Sequence, residues 1–255
     1  PYTIGDQTVY PYRDFKEFKS KEFYDVLRKG VLPSTSALNA EEYKEYFEPV
    51  LKAGDDILYV HFSAAMSGTF NSMRLALEEL QEEYPNSKVY TIDTMAISCG
   101  ALNPVLEIAD MVKEGKSIDE IMKWSETELK KFAVYFYADD LKFFAKSGRV
   151  SGMKALMGNM LGIRPIIYMG DDGKMTSIDS CRGEKATIRK LVDYIVQLQE
   201  DIKSHRVIIA HGDAPAQAQK VADLLKAELG DDLNIIFTPV NPTAGSHCGP
   251  NTVGV

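Results

Sequence analysis

The chain has 255 residues, 45% of them hydrophobic and 26% charged, which is enough for one large or two medium domains with real cores. A net charge of −8 argues against a nucleic-acid or anionic-membrane surface, since either would need a clustered excess of Lys and Arg. No stretch approaches the roughly 20 apolar residues of a membrane span, and the opening PYTIGDQTVYPYRDF has neither a basic nor an apolar targeting region, so a cytoplasmic location is expected. Cys99, Cys181 and Cys248 are far apart and lack CxxC spacing, and His61, His205, His211 and His247 are scattered. Reduced thiols, no metal and no cofactor are therefore expected.

In chain order, Gly5-Asp6-Gln7 between β-formers predicts a small hairpin that looks like an add-on to the fold. Phe15, Phe18, Phe23, Val26 and Leu27 fit a short helix stopped by Gly30. Next comes Leu32-Pro33-Ser34-Thr35-Ser36, three hydroxyls in a row, before a helix from Ala40 to Lys52. Asn39 and Glu42 supply that helix with a capping box, which leaves Thr35 and Ser36 surplus to capping, either as a solvated loop or as ligand contacts.

The organising stretch is ILYVHFSAAMSGTFNSMRLALEEL, residues 57–80. Ile57 to Phe62 reads as a buried parallel strand, and Phe70, Met73, Leu77 and Leu80 recur at helical spacing. Ser67, Gly68 and Thr69 sit where the period changes, so free helix N–H groups and two hydroxyls would share one small volume. Anion binding and simple capping both fit this segment.

A second strand over residues 88–93, a helix from about Ser98 to Lys113, a helix from Ser117 to Lys131 opened by the pair Ser117 and Glu120, and a third strand over residues 132–138 continue the alternation. This predicts a largely parallel sheet with helices on both faces and binding at strand carboxyl ends. A short helix over residues 139–149 and a Met-rich helix from Met153 to Leu161 follow, with Met153, Met157, Met160, Leu161, Phe143 and Phe144 as an apolar cluster between the halves.

Beyond this point residues 163–169 and 174–181 form a hairpin through Gly170-Asp171-Asp172-Gly173, and helices over 184–202 and 214–229 alternate with strands over 207–211 and 233–240. The domains are expected at 1–148, α/β, and 149–255, α+β. The tail from Pro242 to Pro250 is expected to be a loop that holds His247 near glycines.

A serine hydrolase using Ser67 and His247 is one hypothesis, although the nucleophile elbow G-x-S-x-G is not met, because Ala65 and Thr69 flank Ser67 at the glycine places. Neither GxxxxGK[ST] nor GxGxxG is present.

The motifs, taken together, resemble the DegV family, the fatty-acid-binding proteins that serve bacterial fatty acid kinase. LPSTSALNAEEY resembles the family's TSxPS run, SAAMSGTFNSM its SxxLSGTYxSA run, and IDTMAISCGALNPV its DSxxxSxGxG segment. FFAKSGRVSG resembles L-x-KGGRIS, LGIRPIIYMGDDGKM resembles L-x-IKPIL-x-x-x-DG, and SHCGPNTVGV resembles the H-x-GPGxxG tail.

The resemblance implies a two-domain α/β protein without turnover of its own. One long-chain fatty acid would lie between the domains, its carboxylate near Thr35 and Ser67, with Ser36, Gly68 and Thr69 in the same two motifs. It implies His247 beside the carboxylate, and Arg164 and Arg182 as basic neighbours during phosphorylation. A fatty acid kinase catalytic subunit would be the partner, forming an acyl phosphate for phospholipid synthesis. Compared with the family, an initial strand bearing an Asp-Ser pair is expected to be missing before Pro1. Ser147-Gly148 replaces Gly-Gly, Arg164 replaces Lys, and Asn251 replaces the second tail Gly.

Overall fold

The computed structural model describes residues 1–11, 13, 18–151 and 162–255. In order, the elements are β1 (Tyr2–Ile4), β2 (Gln7–Val9), α1 (Ser20–Arg28), β3 (Ser34–Thr35), α2 (Ala40–Lys52), β4 (Ile57–His61), α3 (Thr69–Glu83), β5 (Val89–Asp93), α4 (Ser98–Lys113), α5 (Ile118–Glu128), β6 (Tyr135–Tyr137) and α6 (Leu141–Ser147). They continue with β7 (Val150–Ser151), β8 (Ile163–Met169), β9 (Met175–Arg182), α7 (Glu184–Leu198), β10 (Arg206–His211), α8 (Pro215–Leu229), β11 (Asn234–Pro239), α9 (Pro242–Cys248) and β12 (Val253–Gly254). The Met-rich helix expected from Met153 to Leu161, with Met153, Met157, Met160 and Leu161, lies outside the described residues.

Local signals account for most of these boundaries. Asn39 Oδ1 accepts from Glu42 N and Glu42 Oε2 accepts from Asn39 N, both at 2.9 Å, so the capping box starts α2. Ser117 and Glu120 open α5 in the same reciprocal way. The β8–β9 hairpin turns where its glycines predict, with Gly170 N donating to Lys174 O at 2.9 Å and Gly173 at φ +70°.

The architecture is two-domain α/β. In the first half β4 and β5 form a parallel pair, Ile57 opposite Val89 and His61 opposite Asp93. Tyr43, Phe47, Phe70, Met73 and Leu80 from α2 and α3 pack into one core cluster, and Ile92, Ile108 and Ile121 into another. The second half is a mixed seven-stranded sheet in the order β11-β10-β12-β6-β8-β9-β7. Its core includes Tyr137, Ile166, Ile188, Leu191, Ile209, Val221 and Leu225.

Three arrangements differ from the sequence expectation. β6, read as a third parallel strand of the first half, lies between β12 and β8 and is antiparallel to both. Its partner β12 comes from the far end of the chain, a pairing that local alternation does not encode. The N-terminal hairpin, expected to be an add-on, is structural, because β1 also pairs with β3 and sets Tyr2 opposite Thr35. The tail, expected to be a loop, folds as α9: Asn241 Oδ1 accepts from Ala244 N at 2.9 Å, and Pro242 occupies the first turn.

Contacts among the described residues tie the halves together, two of them close to the sheet ends. Ser63 Oγ donates to Gly173 O at 2.7 Å, joining the β8–β9 turn to the loop after β4. Arg206 on β10 lies 3.2 Å from Glu107 and 2.5 Å from Asp110, both on α4. Asn251 has φ +61°, a left-handed conformation that Asn tolerates, so replacing the family's Gly there leaves the turn intact. Its side chain donates to Asp139 at 2.9 Å and accepts from Arg28 at 3.1 Å.

Candidate functional site

A cavity of about 440 Å3 opens between the two halves, within the size range of small-molecule sites. One end is polar, with Thr35, Ser36, Ser67, Gly68, Thr69, His247 and Arg149 in its lining. The remainder is largely apolar and includes Ile97, Cys99, Val134, Phe136, Phe144, Met175, Ala210 and Val240.

Identifiable elements position Thr35, His247 and Ser67. The β1–β3 pairing holds Thr35, and α9 delivers His247 in its last turn. Thr35 Oγ1 and His247 Nε2 are 3.0 Å apart. Ser67 follows the short helical turn after β4, and its Oγ accepts from Thr69 N at 3.2 Å, satisfying one free amide of α3. Capping therefore uses a lone pair of Ser67 and leaves its proton available as a donor.

Burial, aided by the nearby Arg149 guanidinium, pushes the His247 imidazole down to about 4, so it is neutral at pH 7. If its Nε2 carries the proton it donates to Thr35, which frees the threonine hydroxyl to donate into the cavity. Among the described residues no hydrogen bond joins His247 to Ser67, so the couple that a serine hydrolase needs is not assembled.

The depressed imidazole makes a pH prediction. Its folded value lies below the ordinary 6.5, so the unfolded chain binds more protons in this range and stability falls as pH drops from about 6.5 towards about 4. A carboxylate bound beside the ring would stabilise the imidazolium and raise its value. Imidazole NMR titrations of His247 with and without ligand should show that upward shift.

Of the residues predicted from sequence, Thr35, Ser36, Ser67, Gly68, Thr69 and His247 all line the cavity. Arg164 and Arg182 do not: Arg164 on β8 is ion-paired to Asp139 at 2.5 Å, and Arg182 ends β9 on the exposed surface. Among the described residues, Arg149 is the arginine in the cavity lining, and sequence reasoning passed it over although it sits inside FFAKSGRVSG. Gly148, at φ +65°, ends α6 immediately before it, and that glycine was its sequence signal.

Cys99 and Cys248 do not offer reactive thiols. Burial pushes Cys99 up to about 11 and Cys248 up to about 12, so both stay protonated at neutral pH. Among the described residues no group of three or more His, Cys, Asp and Glu side chains could hold a metal ion, and no helix is long and apolar enough to cross a membrane.

The family model described as an uncharacterised protein of the DegV family matches residues 3–255. The chain belongs to the DegV family. It is 35% identical over 250 residues to a DegV domain-containing protein of Clostridium perfringens, covering 98% of this chain and 86% of that protein. Among solved structures, it is similar to a DegV lipid-binding protein of Thermotoga maritima, with TM-score 0.80, 26% identity, and coverage of 95% of this chain and 82% of that one. It is also similar to a DegV family protein of Eubacterium eligens loaded with heptadecanoic acid, with TM-score 0.81, 25% identity, and coverage of 93% and 84%.

Proposed function

We propose that this DegV protein is a non-catalytic carrier that holds one long-chain fatty acid in the cavity and presents its carboxylate to a fatty acid kinase. The observation that carries the reading is a largely apolar cavity whose lining includes Ser67 and the Thr35–His247 pair, 3.0 Å apart. The fatty acids named with its solved relatives support it.

Magnitudes divide the labour between the two ends. Hydrogen bonds to a charged group contribute about 1.5 to 3 kcal/mol each, whereas burying roughly 14 methylenes at about 0.8 kcal/mol apiece is worth on the order of 11 kcal/mol gross. The acyl chain supplies affinity, and the polar end fixes orientation. Ordering costs remove much of the gross figure, leaving binding that is tight yet exchangeable.

The polar end is accessible from outside. Ser36, Phe62, Gly68 and Arg149 line it and are exposed, which suits a ligand whose carboxylate is modified by a second protein. Arg149 supplies positive charge where a phosphoryl group would arrive.

Ser67→Ala is expected to weaken palmitate binding about tenfold, the loss of one charge-assisted hydrogen bond. Titration calorimetry on the delipidated protein measures it. Incubating the loaded protein with a fatty acid kinase catalytic subunit and ATP, then trapping with hydroxylamine, should give the acyl hydroxamate. Palmitate binding without any hydroxamate would remove the kinase role and keep the carrier. Hydrolysis of nitrophenyl esters that disappears with Ser67→Ala would instead establish a hydrolase.

A further inference from the structure

The cavity wall also holds hydroxyls that the carboxylate contacts proposed for Thr35 and Ser67 leave unexplained. Thr69 is 6% exposed; its Oγ1 accepts from Leu38 N at 3.1 Å and lies 3.0 Å from the hydroxyl of Tyr43, which is 3% exposed. The Tyr59 ring meets the Tyr43 ring edge to face, with centroids 6.4 Å apart. Thr69, Tyr43 and Tyr59 all line the cavity.

Proton counting gives the Thr69–Tyr43 pair two polarities. A hydroxyl has one proton and two lone pairs. One lone pair of Thr69 Oγ1 already receives the Leu38 amide. If Tyr43 donates to the other, the Thr69 proton has to find an acceptor in the cavity. If Thr69 donates to Tyr43 instead, it offers the cavity a lone pair.

Resting on the fatty-acid reading above, we infer that Tyr43 and Thr69, with Tyr59 packed on the Tyr43 ring, form a reorientable hydroxyl relay that turns a proton donor towards an anionic head group, with Tyr43 as its positioning residue. A carboxylate only accepts, so it selects the direction from Tyr43 to Thr69 and into the ligand. Each bond in such a chain polarises the next, and the last one is assisted by the ligand's charge. A fatty alcohol carries no charge and gains little from that polarity. The relay therefore sets preference for acid over alcohol, separately from the affinity that the apolar cavity gives to both.

The test compares palmitic acid with hexadecanol on delipidated wild type, Tyr43→Phe, Tyr59→Phe, the double variant and Thr69→Val. The Phe substitutions keep the rings that pack against Phe47, and Thr69→Val keeps the side-chain shape. Tyr43→Phe should lose about fivefold in acid affinity while alcohol affinity changes less than about twofold. Thr69→Val should lose the same preference, and Tyr59→Phe should lose less. The double variant should match Tyr43→Phe alone, because the relay is already cut. Equal weakening towards acid and alcohol, additive effects of the two Phe substitutions, or no effect of Tyr43→Phe would each overturn the relay with fatty-acid binding intact. Failure of the wild type to bind palmitic acid would overturn the binding reading itself.

Discussion

Ile97→Trp is expected to reduce long-chain fatty-acid affinity by at least about a hundredfold while leaving the protein folded. Ile97 lines the cavity just before α4, is half-buried, and has an extended backbone at φ −133° and ψ 161° that accommodates Trp. The extra ring volume has the cavity as its available space. Displacing about four methylenes of ligand at about 0.8 kcal/mol each removes about 3 kcal/mol, or about a hundredfold in affinity. The melting temperature of the delipidated protein should move by only a few degrees. Leu75→Trp, on α3 outside the cavity lining and 50% exposed, is the control and should bind normally. Calorimetric titration of both variants with palmitate checks the difference. It distinguishes a cavity that supplies the affinity from one in which the polar end dominates.

Gly249→Ala should produce the largest loss of stability. Gly249 ends α9 at φ +75° and ψ −179°, a region open essentially to glycine, and an added Cβ would fall on the ring of the fully buried Phe143. Backbone strain of about 1 to 3 kcal/mol and overpacking of similar size together suggest a loss of about 4 kcal/mol. For a chain of this length that lowers the melting temperature by roughly 10 °C. The damage lies two residues from His247, so fatty-acid affinity should fall with it. Thermal unfolding with and without ligand reads both effects, and an unchanged melting temperature would contradict the packing described for α9.

The elements that sequence reasoning located carry their instructions locally. Asn39 with Glu42 and Ser117 with Glu120 declare helix starts, and the Gly170–Gly173 run declares a hairpin. Ser67 stood out because a strand period gave way to a helical one at a knot of small residues, and Thr35 because its hydroxyl was surplus to capping. What the sequence hid depends on partners far along the chain. Nothing near Tyr135 says that Val253 will pair with its strand, and nothing near Tyr2 says that Thr35 will lie opposite.

The tail differs from its expectation for another reason. Its Pro and Gly residues suit a loop, but Asn241-Pro242 is also a cap and first-turn signal and Gly249 a terminator. Arg164 and Arg182 were named through the resemblance, yet Arg164 answers to Asp139 and the cavity receives Arg149. A charged side chain's partner is set by tertiary packing, which spacing along the chain does not record.

The central claim is that the cavity holds a single fatty acid. Native mass spectrometry of the protein as purified, followed by organic extraction, tests it most directly. The expected result is one bound molecule per chain, released as a fatty acid of about 14 to 18 carbons, the length that supplies the burial energy argued above. A protein that is purified empty, and stays empty after incubation with palmitate, would contradict the claim.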